Sequence, residues 1–198
     1  MRHSFSVFQS HIDLAHSYWS KLVQQGDVVI DATCGNGHDT LFLCKLAITE
    51  EKGKVYAIDN QSIAIQSTQT VLQKELNQQR YDRVVFLHQD HSHFPFSIVP
   101  ESIKLIVYNL GYLPGENKKW TTLTETTMKS ILEAQKLIQP GGGISITCYP
   151  GHLEGEKELE AIVKYSANLS PKEWSCSQHL WLNRHRSPTL LFFQKTNL

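Results

Sequence analysis

The sequence predicts an α/β fold in which a doubly wound, mostly parallel sheet of seven strands carries helices on both faces. Three observations predict this fold. Short β-branched runs alternate with segments of helical period, the early runs end at an acidic residue or at Asn, and glycines follow the first run. Connections between parallel strands are right-handed crossovers, so this alternation places the strands side by side and the helices against the sheet.

The first half of the chain contains an N-terminal helix and two strand units. Apolar residues at helical spacing predict an amphipathic helix over residues 11–24, which ends before Gly26. The elements expected after it are a strand over residues 28–30 that ends at Asp31, a helix after the glycines, a strand over 54–58 that ends at Asp59, and a helix over 62–76.

The second half continues the alternation and then changes character. Expected here are strands over residues 84–87 and 103–108, ending near Asp90 and at Asn109, then a helix over 124–138, a strand over 144–149 and a helix over 155–167. Pro140 and the three glycines after it are expected to stop the 124–138 helix. Strands over 174–182 and 189–195 flank a turn and are expected to pair antiparallel.

Length and composition restrict the function classes. A chain of 198 residues has room for one domain, residues 1–198, with residues 1–25 as a helical extension packed on it. Nineteen basic residues balance nineteen acidic ones, so any nucleic acid partner must be met by a local patch. Four scattered cysteines suggest reduced thiols and no metal site, and no apolar stretch is long enough for a membrane span. We therefore expect a cytoplasmic protein without a membrane partner.

The loop after the first strand, DATCGNGHDT at residues 31–40, is the most informative stretch. Gly35 and Gly37 allow close backbone approach, so amides at the next helix start can meet an anionic group, although a purely structural turn has the same glycines. Thr40 occupies the third glycine position of the dinucleotide fingerprint, which disfavours NAD. The carboxylate of Asp31 suits the ammonium of a cationic aminoacyl sulfonium compound.

Two further acidic strand ends extend this cofactor hypothesis. Asp59 is placed to accept hydrogen bonds from both hydroxyls of a ribose, or else to cap a helix. Asp90 can accept the exocyclic amine of an adenine, or else it is a solvated loop residue. Three acidic strand ends in order make a stronger indication together than any one of them.

These residues resemble the class I S-adenosylmethionine-dependent methyltransferases, which have a Rossmann-like fold. More narrowly, residues 31–40, the stretch NLGYLPG at 109–115 and the stretch YPGH at 149–152 resemble the small bacterial YtqB/MnmM family. The resemblance covers nearly the whole chain and implies S-adenosylmethionine as cofactor. It also implies N-methylation of the aminomethyl group of 5-aminomethyl-2-thiouridine, or of its 2-oxygen counterpart, at the tRNA wobble position.

The candidate site residues follow from the strand ends and this resemblance. The candidate cofactor-binding residues are Asp31, Thr33, Gly35, Asn36, Gly37, Asp39, Thr40, Asp59, Gln61, Asp90, His91 and Asn109. The candidate catalytic residues are Asn109, Tyr112 and His152, with His38 and His91 as weaker rivals of His152 for the role of proton acceptor. An Asn oxygen at a strand end can accept the N–H bonds of an amine and turn its lone pair toward a methyl donor.

An RNA substrate needs aromatic and basic side chains near that site. The candidate substrate-binding residues are Gly111, Tyr112, Lys118, Lys119, Trp120, Tyr149, Arg184 and Arg186. They suit the splayed bases and phosphates of a tRNA anticodon loop, although each basic cluster could equally be a solvated loop or a dimer contact. The apolar face of the terminal strands is compatible with a homodimer.

Three other functions remain open at this point. Methylation of rRNA or of a small molecule is consistent with every feature above. An NAD-dependent oxidoreductase is disfavoured by Thr40, and a non-catalytic RNA-binding module has no need of an Asn-x-x-Tyr element, here Asn109 to Tyr112, that faces a cofactor loop.

Overall fold

The computed structural model describes residue 7 and residues 10–111 and 123–198. In the N-terminal half the elements are α1 (His11–Leu22), β1 (Val28–Asp31), α2 (His38–Ala47), β2 (Lys54–Asp59), α3 (Ser62–Glu75), α4 (Gln78–Tyr81) and β3 (Val84–His88). After them come β4 (Ile103–Asn109), α5 (Thr124–Leu137), β5 (Ile138–Cys148), α6 (Leu153–Ser166), β6 (Trp174–His179) and β7 (Thr189–Lys195).

The strands form one sheet of seven in the order β3-β2-β1-β4-β5-β7-β6. Strands β1 to β5 are parallel to their neighbours, and β7 is antiparallel to both β5 and β6. The strand order reverses between β1 and β4, which is where doubly wound sheets bind ligands outside the carboxyl ends of their strands. The predicted fold class and the antiparallel terminal pair are confirmed.

Two apolar layers enclose the sheet. One contains Trp19 of α1 and Leu43 of α2, and the other contains Ile131 of α5 and Ile162 of α6, all buried. Helix α1 begins with a capping box in which Ser10 and Asp13 bond to each other's backbone N–H groups. Trp19 of this helix is buried in the first of these layers.

The start of β5 differs from the prediction. The strand was expected over residues 144–149, with Pro140 and the glycines as a break, but it begins at Ile138 directly after α5. A register irregularity separates the Ile103 and Leu105 pairings with β5, and a Cβ on Gly142 would lie 2.8 Å from the Lys104 backbone oxygen. The glycines therefore belong to an irregular strand start in close contact with β4, and only α5 ends where it was expected to.

Three smaller differences concern element ends. Strand β6 stops at His179, short of residue 182, and α6 begins at Leu153, ahead of residue 155. The short helix α4 was not predicted; Asn77 caps it by accepting a hydrogen bond from the Arg80 N–H. A four-residue helix is too short to show a helical period in the sequence.

Three further features concern the cysteines, possible membrane-spanning helices and possible metal ligands. All four cysteines are free, as expected for reduced thiols, and only Cys176 among them is partly exposed. No helix within residues 10–111 and 123–198 has both the length and the apolar composition to cross a bilayer. The same residues contain no group of three or more His, Cys, Asp or Glu side chains that could hold a metal ion.

Candidate active site

Three polar side chains end adjacent strands at one edge of the sheet. Strand β1 ends at Asp31 and pairs on one side with β2, which ends at Asp59, and on the other with β4, which ends at Asn109. Because the three strands are parallel, their carboxyl ends lie together. The sequence predicted these three positions as parts of one site, and the sheet brings them to the same edge.

The glycine loop leads from this edge into α2. Gly35 and Gly37 have φ angles of 50° and 83°, and half-buried Asn36 lies between them. Gly37 caps α2 through its backbone alone, so no side chain satisfies the first N–H groups of the helix. A Cβ on Gly37 would lie 2.8 Å from the Thr68 Cα in α3, so this position needs glycine for its backbone angle and for the contact with α3.

The buried side chain of Asp31 is hydrogen-bonded to residues of the glycine loop. Its side chain is 1% exposed, and its carboxylate accepts hydrogen bonds from the Thr33 N–H at 3.2 Å and from the Thr40 hydroxyl at 2.6 Å. Burial, together with repulsion from Asp39, raises the pKa of Asp31 to about 7, although the bonds from Thr40 and Thr33 oppose the shift. Asp31 therefore links β1 to the first turn of α2, and its charge is sensitive to pH near neutrality.

Asp59 connects the glycine loop to the start of α3. One carboxylate oxygen accepts the Gly35 N–H at 3.0 Å and the other accepts the Gln61 N–H at 3.0 Å. Burial raises the pKa of Asp59, and these two hydrogen bonds oppose that increase without cancelling it. Asp59 is partly exposed, and each carboxylate oxygen has a further lone pair, so the carboxylate can still accept bonds from a ligand.

Asp90 and His91 follow β3 at the same edge. The Asp90 carboxylate accepts hydrogen bonds from Ser92, one of them from the Ser92 N–H at 2.7 Å. Burial alone would raise the pKa of Asp90, but these hydrogen bonds outweigh the effect of burial, so the pKa is lowered. His91 is 6% exposed with its ring edge toward Tyr108, and burial lowers the pKa of its imidazole. Within the described part of the chain, Nε2 of His91 is buried and has no hydrogen-bond partner.

The orientation of the Asn109 side chain is fixed by Asp39. The Asn109 amide nitrogen donates to one Asp39 oxygen at 3.2 Å, and the Asn109 backbone N–H donates to the Thr33 hydroxyl at 2.7 Å. A carboxylate only accepts hydrogen bonds, so the amide nitrogen of Asn109 must face it and the amide oxygen remains as an acceptor. The other Asp39 oxygen lies 2.8 Å from Nε2 of His16, whose ring stacks on Phe42.

Tyr149 lies beside Asn109 and Gly111. A Cβ on Gly111, which has a φ of 130°, would touch the Tyr149 ring at 3.6 Å. The Tyr149 hydroxyl lies 2.9 Å from Nε2 of His11 at the start of α1. Burial raises the pKa of Tyr149 to about 12, with Asp39 adding to the shift and a hydrogen bond with Asn109 opposing it.

Sequence reasoning missed His11 and His16, and the structure brings both to the site. They contact residues 138 and 23 positions away in the chain, respectively. The helical period of α1 identifies its apolar face, but it does not reveal which polar residues meet the sheet edge. Two histidines on a helix that packs against the predicted site were the only available signal.

His152, the candidate proton acceptor, caps α6. Its Nδ1 accepts the Gly155 N–H at 3.1 Å, so this nitrogen is occupied in the helix cap. The weaker rival His38 is exposed at the first position of α2. The assignment of the proton acceptor stays a prediction at this point.

The structure describes only some of the candidate RNA-binding residues. Tyr112, Lys118, Lys119 and Trp120 lie outside the described residues. Arg184 and Arg186 lie in the turn between β6 and β7, with the Arg184 guanidinium 4.2 Å from the centre of the Trp181 ring. Since Cys148 at the end of β5 pairs with Thr189, this turn is at the same sheet edge as Tyr149.

The chain is similar to known methyltransferases in sequence and in fold. A family model described as "Putative rRNA methylase" matches residues 55–195. A relative from Arabidopsis thaliana, named "tRNA (mnm(5)s(2)U34)-methyltransferase, chloroplastic", is 39% identical over 188 residues, which cover 92% of this chain and 68% of the relative.

Two solved structures are similar over almost their full length. One is named as a putative rRNA-methylase from Clostridium thermocellum; it has a TM-score of 0.88 and 30% identity, with 95% of this chain and 98% of that chain covered. The other is SMU.1697c from Streptococcus mutans, named as a putative methyltransferase in complex with SAH. It has a TM-score of 0.82 and 28% identity, with 95% and 99% covered.

Replacing Gly37 by Ala tests the glycine loop. The new Cβ meets the α3 backbone at a positive φ, so we expect a loss of about 1–3 kcal/mol in the free energy of unfolding and a shift of the α2 start. Gly151→Ala is the matched control, because a Cβ there has nothing within 4 Å, and its effect should stay within about 0.5 kcal/mol. Urea unfolding measures both, and equal stability of the two variants would contradict the close contact.

Replacing Asp31 by Asn tests the buried carboxyl. The pKa of about 7 in the folded protein lies above the ordinary value of 3.8, so the folded state binds more protons between these values. The stabilisation from this group is present below the ordinary value and is lost as the pH rises to about 7. The free energy of unfolding of the wild type, minus that of Asp31→Asn, should therefore fall from pH 5 to pH 7 and level off above. A difference that does not change with pH would contradict the shift.

Proposed function

Because the chain belongs to the family described as "Putative rRNA methylase", we propose that it methylates the aminomethyl nitrogen of 5-aminomethyl-2-thiouridine, or its 2-oxygen counterpart, at the tRNA wobble position. It is an S-adenosylmethionine-dependent methyltransferase. The observation that carries the amine assignment is the Asn109 side chain, which Asp39 turns so that its oxygen is left to accept hydrogen bonds.

The residues at the sheet edge fit the cofactor chemically. Asp59 keeps acceptor capacity for ribose hydroxyls, Asp90 for an adenine amine, and buried Nε2 of His91 lacks a protein partner among the described residues. The amides at the start of α2, where the cap residue Gly37 has no side chain, suit the carboxylate of the amino acid end. The carboxyl oxygens of Asp31 and Asp39 can accept hydrogen bonds from its ammonium. When bound, S-adenosylmethionine supplies a sulfonium methyl group, which passes to the amine nitrogen and leaves S-adenosylhomocysteine.

The remaining residues of the proposed cofactor site hold the loop. The Thr33 hydroxyl accepts the Asn109 backbone N–H, and the Thr40 hydroxyl donates to Asp31. Gln61 fixes Asp59 through its N–H. Thr33, Thr40 and Gln61 therefore hold the carboxylates and Asn109 in a fixed relation to one another.

The substrate is suggested by the Arabidopsis relative, whose name specifies the mnm(5)s(2)U34 position of tRNA. An aminomethyl nitrogen attacks only as the free amine, so the site must align its lone pair and favour the loss of one proton. We assign alignment to the amide oxygen of Asn109. Gly111 lies beside the Tyr149 ring, and we propose that the base binds there with Tyr112 stacked on it.

We propose that the anticodon loop lies across the carboxyl edge of the sheet. Arg184 is already stacked on Trp181 at that edge, an arrangement that can be extended by a nucleotide base. Lys118, Lys119, Trp120 and Arg186 are the other proposed contacts to RNA. The cytoplasmic location and a homodimer stay predictions; the four free cysteines agree with a reducing compartment.

The second candidate is methylation of rRNA, which the family description favours. The direct test incubates the full chain and S-adenosylmethionine with tRNA that carries 5-aminomethyl-(2-thio)uridine, or with unmodified rRNA, and analyses the nucleosides by mass spectrometry. We expect one methyl group on the aminomethyl nucleoside of tRNA. A methylated rRNA nucleoside with unchanged tRNA would replace this proposal by the second candidate.

Asn109→Ala should lower the rate of methyl transfer by about a hundredfold or more, because the amine loses the acceptor that aligns it. The affinity for S-adenosylhomocysteine should stay within a small factor in calorimetry. Asn168→Ala is the matched control, because its exposed amide donates to the Lys164 backbone oxygen at the end of α6, and its rate should equal the wild-type rate. A normal rate for Asn109→Ala would remove this residue from the reaction.

Removing both charges at Lys118 and Lys119, by changing each to Gln, should raise the Michaelis constant for tRNA and flatten its salt dependence. Each lost phosphate contact reduces the number of counterions released on binding. The measurement is the Michaelis constant at several salt concentrations. If the salt response does not change, these lysines do not contact the RNA.

A further inference from the structure

We propose that the first turn of α1 completes the reaction site as a proton path, in which the substrate amine passes a proton to the Tyr149 hydroxyl and this hydroxyl passes its own to Nε2 of His11. The inference rests on the amine methylation proposed above. It gives a role to a helix that lies outside residues 55–195, the part matched by the family model.

The geometry already joins the two ends of this path. The Tyr149 hydroxyl lies 2.9 Å from Nε2 of His11, and the two rings meet edge to face with their centres 5.4 Å apart. Tyr149 also has a side-chain hydrogen bond with Asn109, the residue proposed to hold the amine. An amine held at Asn109 is therefore near a hydroxyl that already lies within hydrogen-bond distance of His11.

The proton balance requires such an acceptor. An alkylamine is largely protonated at neutral pH, so an N–H bond must break before its lone pair can attack the methyl carbon. As that proton reaches the Tyr149 oxygen, the Tyr149 O–H proton forms a bond with Nε2 of His11. The half-buried imidazolium then releases one proton to water for each methyl group transferred.

The charges around His11 suit this role. Burial lowers the pKa of His11, while Asp39 from α2 and Asp13 from its own helix act in the opposite direction without cancelling the shift. His11 is therefore neutral at neutral pH and can accept a proton. Burial raises the pKa of Tyr149 to about 12, so this hydroxyl stays protonated and acts as a bridge.

Two other histidines near the site, His152 and His16, are held in different contacts. Nδ1 of His152 accepts the Gly155 N–H in the α6 cap, and Nε2 of His16 is bonded to Asp39. His16 therefore supports Asn109 through Asp39, as a positioning residue. These contacts favour His11 over His152 as the group that takes up the proton.

A second histidine and tyrosine pair in the same protein supplies matched controls. The Tyr18 hydroxyl lies 3.0 Å from Nε2 of His179, with ring centres 5.4 Å apart, between α1 and the end of β6. The test compares His11→Gln and Tyr149→Phe with His179→Gln and Tyr18→Phe. The readouts are the single-turnover rate of methyl transfer to tRNA across a pH series and the affinity for S-adenosylhomocysteine.

We expect His11→Gln and Tyr149→Phe to lower the rate about ten- to a hundredfold at pH 7, with normal cofactor affinity. The defect should shrink as the pH rises, because more of the amine then arrives without its proton. The two control variants should follow the wild-type pH profile. A defect that is the same at every pH, or equal losses in the control pair, would overturn the proton path.

His11→Ala with added imidazole provides a second, independent readout. Imidazole should restore a large part of the rate in His11→Ala and none in Tyr149→Phe, because only the first variant leaves a space beside an intact hydroxyl. A lack of rescue in His11→Ala would count against the path. If the wild type itself transfers no methyl group to aminomethyl uridine, the proposed function fails; a wild type that is active beside a pH-independent His11→Gln defect refutes only the path.

Discussion

The buried carboxylate of Asp31 holds the glycine loop against the sheet edge, and the geometry of the proposed site depends on this contact. It ends β1, and its bonds to the Thr33 N–H and the Thr40 hydroxyl fold the glycine loop back onto the strand. Thr33 in turn receives the Asn109 backbone N–H, so β4 is tied to the same loop. The glycine loop and the proposed amine acceptor are thus parts of one hydrogen-bonded frame.

A second carboxylate, that of Asp39, extends this frame to the N-terminal helix. It accepts the Asn109 amide on one oxygen and contacts His16 of α1 on the other. Helix α1 makes a second contact near Asn109, in which Nε2 of His11 meets the Tyr149 hydroxyl. Its buried Trp19 anchors it in the core, so hydrophobic packing holds the two histidines at the sheet edge. The helix that the sequence suggested as an extension therefore forms one wall of the site.

The sequence predicts the polar ends of these parallel strands well, because each is a β-branched run that stops at a polar residue, as at Asp31, Asp59 and Asn109. It fails where tertiary contacts override local preference: Pro140 and its glycines read as a break, yet pairing with β4 makes them the start of β5. The contact of His11 with Tyr149 is also hidden, because side-chain partners far apart in the chain leave no periodic signal.

The decisive measurement is a crystal structure of the chain with S-adenosylhomocysteine and an anticodon stem-loop that carries 5-aminomethyluridine. We expect ribose hydroxyls on Asp59, the adenine beside Asp90 and His91, and the amine nitrogen within hydrogen-bond distance of the Asn109 oxygen and the Tyr149 hydroxyl. An amine bound away from Asn109, or a cofactor that lies outside the loop of Gly35 and Gly37, would contradict this expectation.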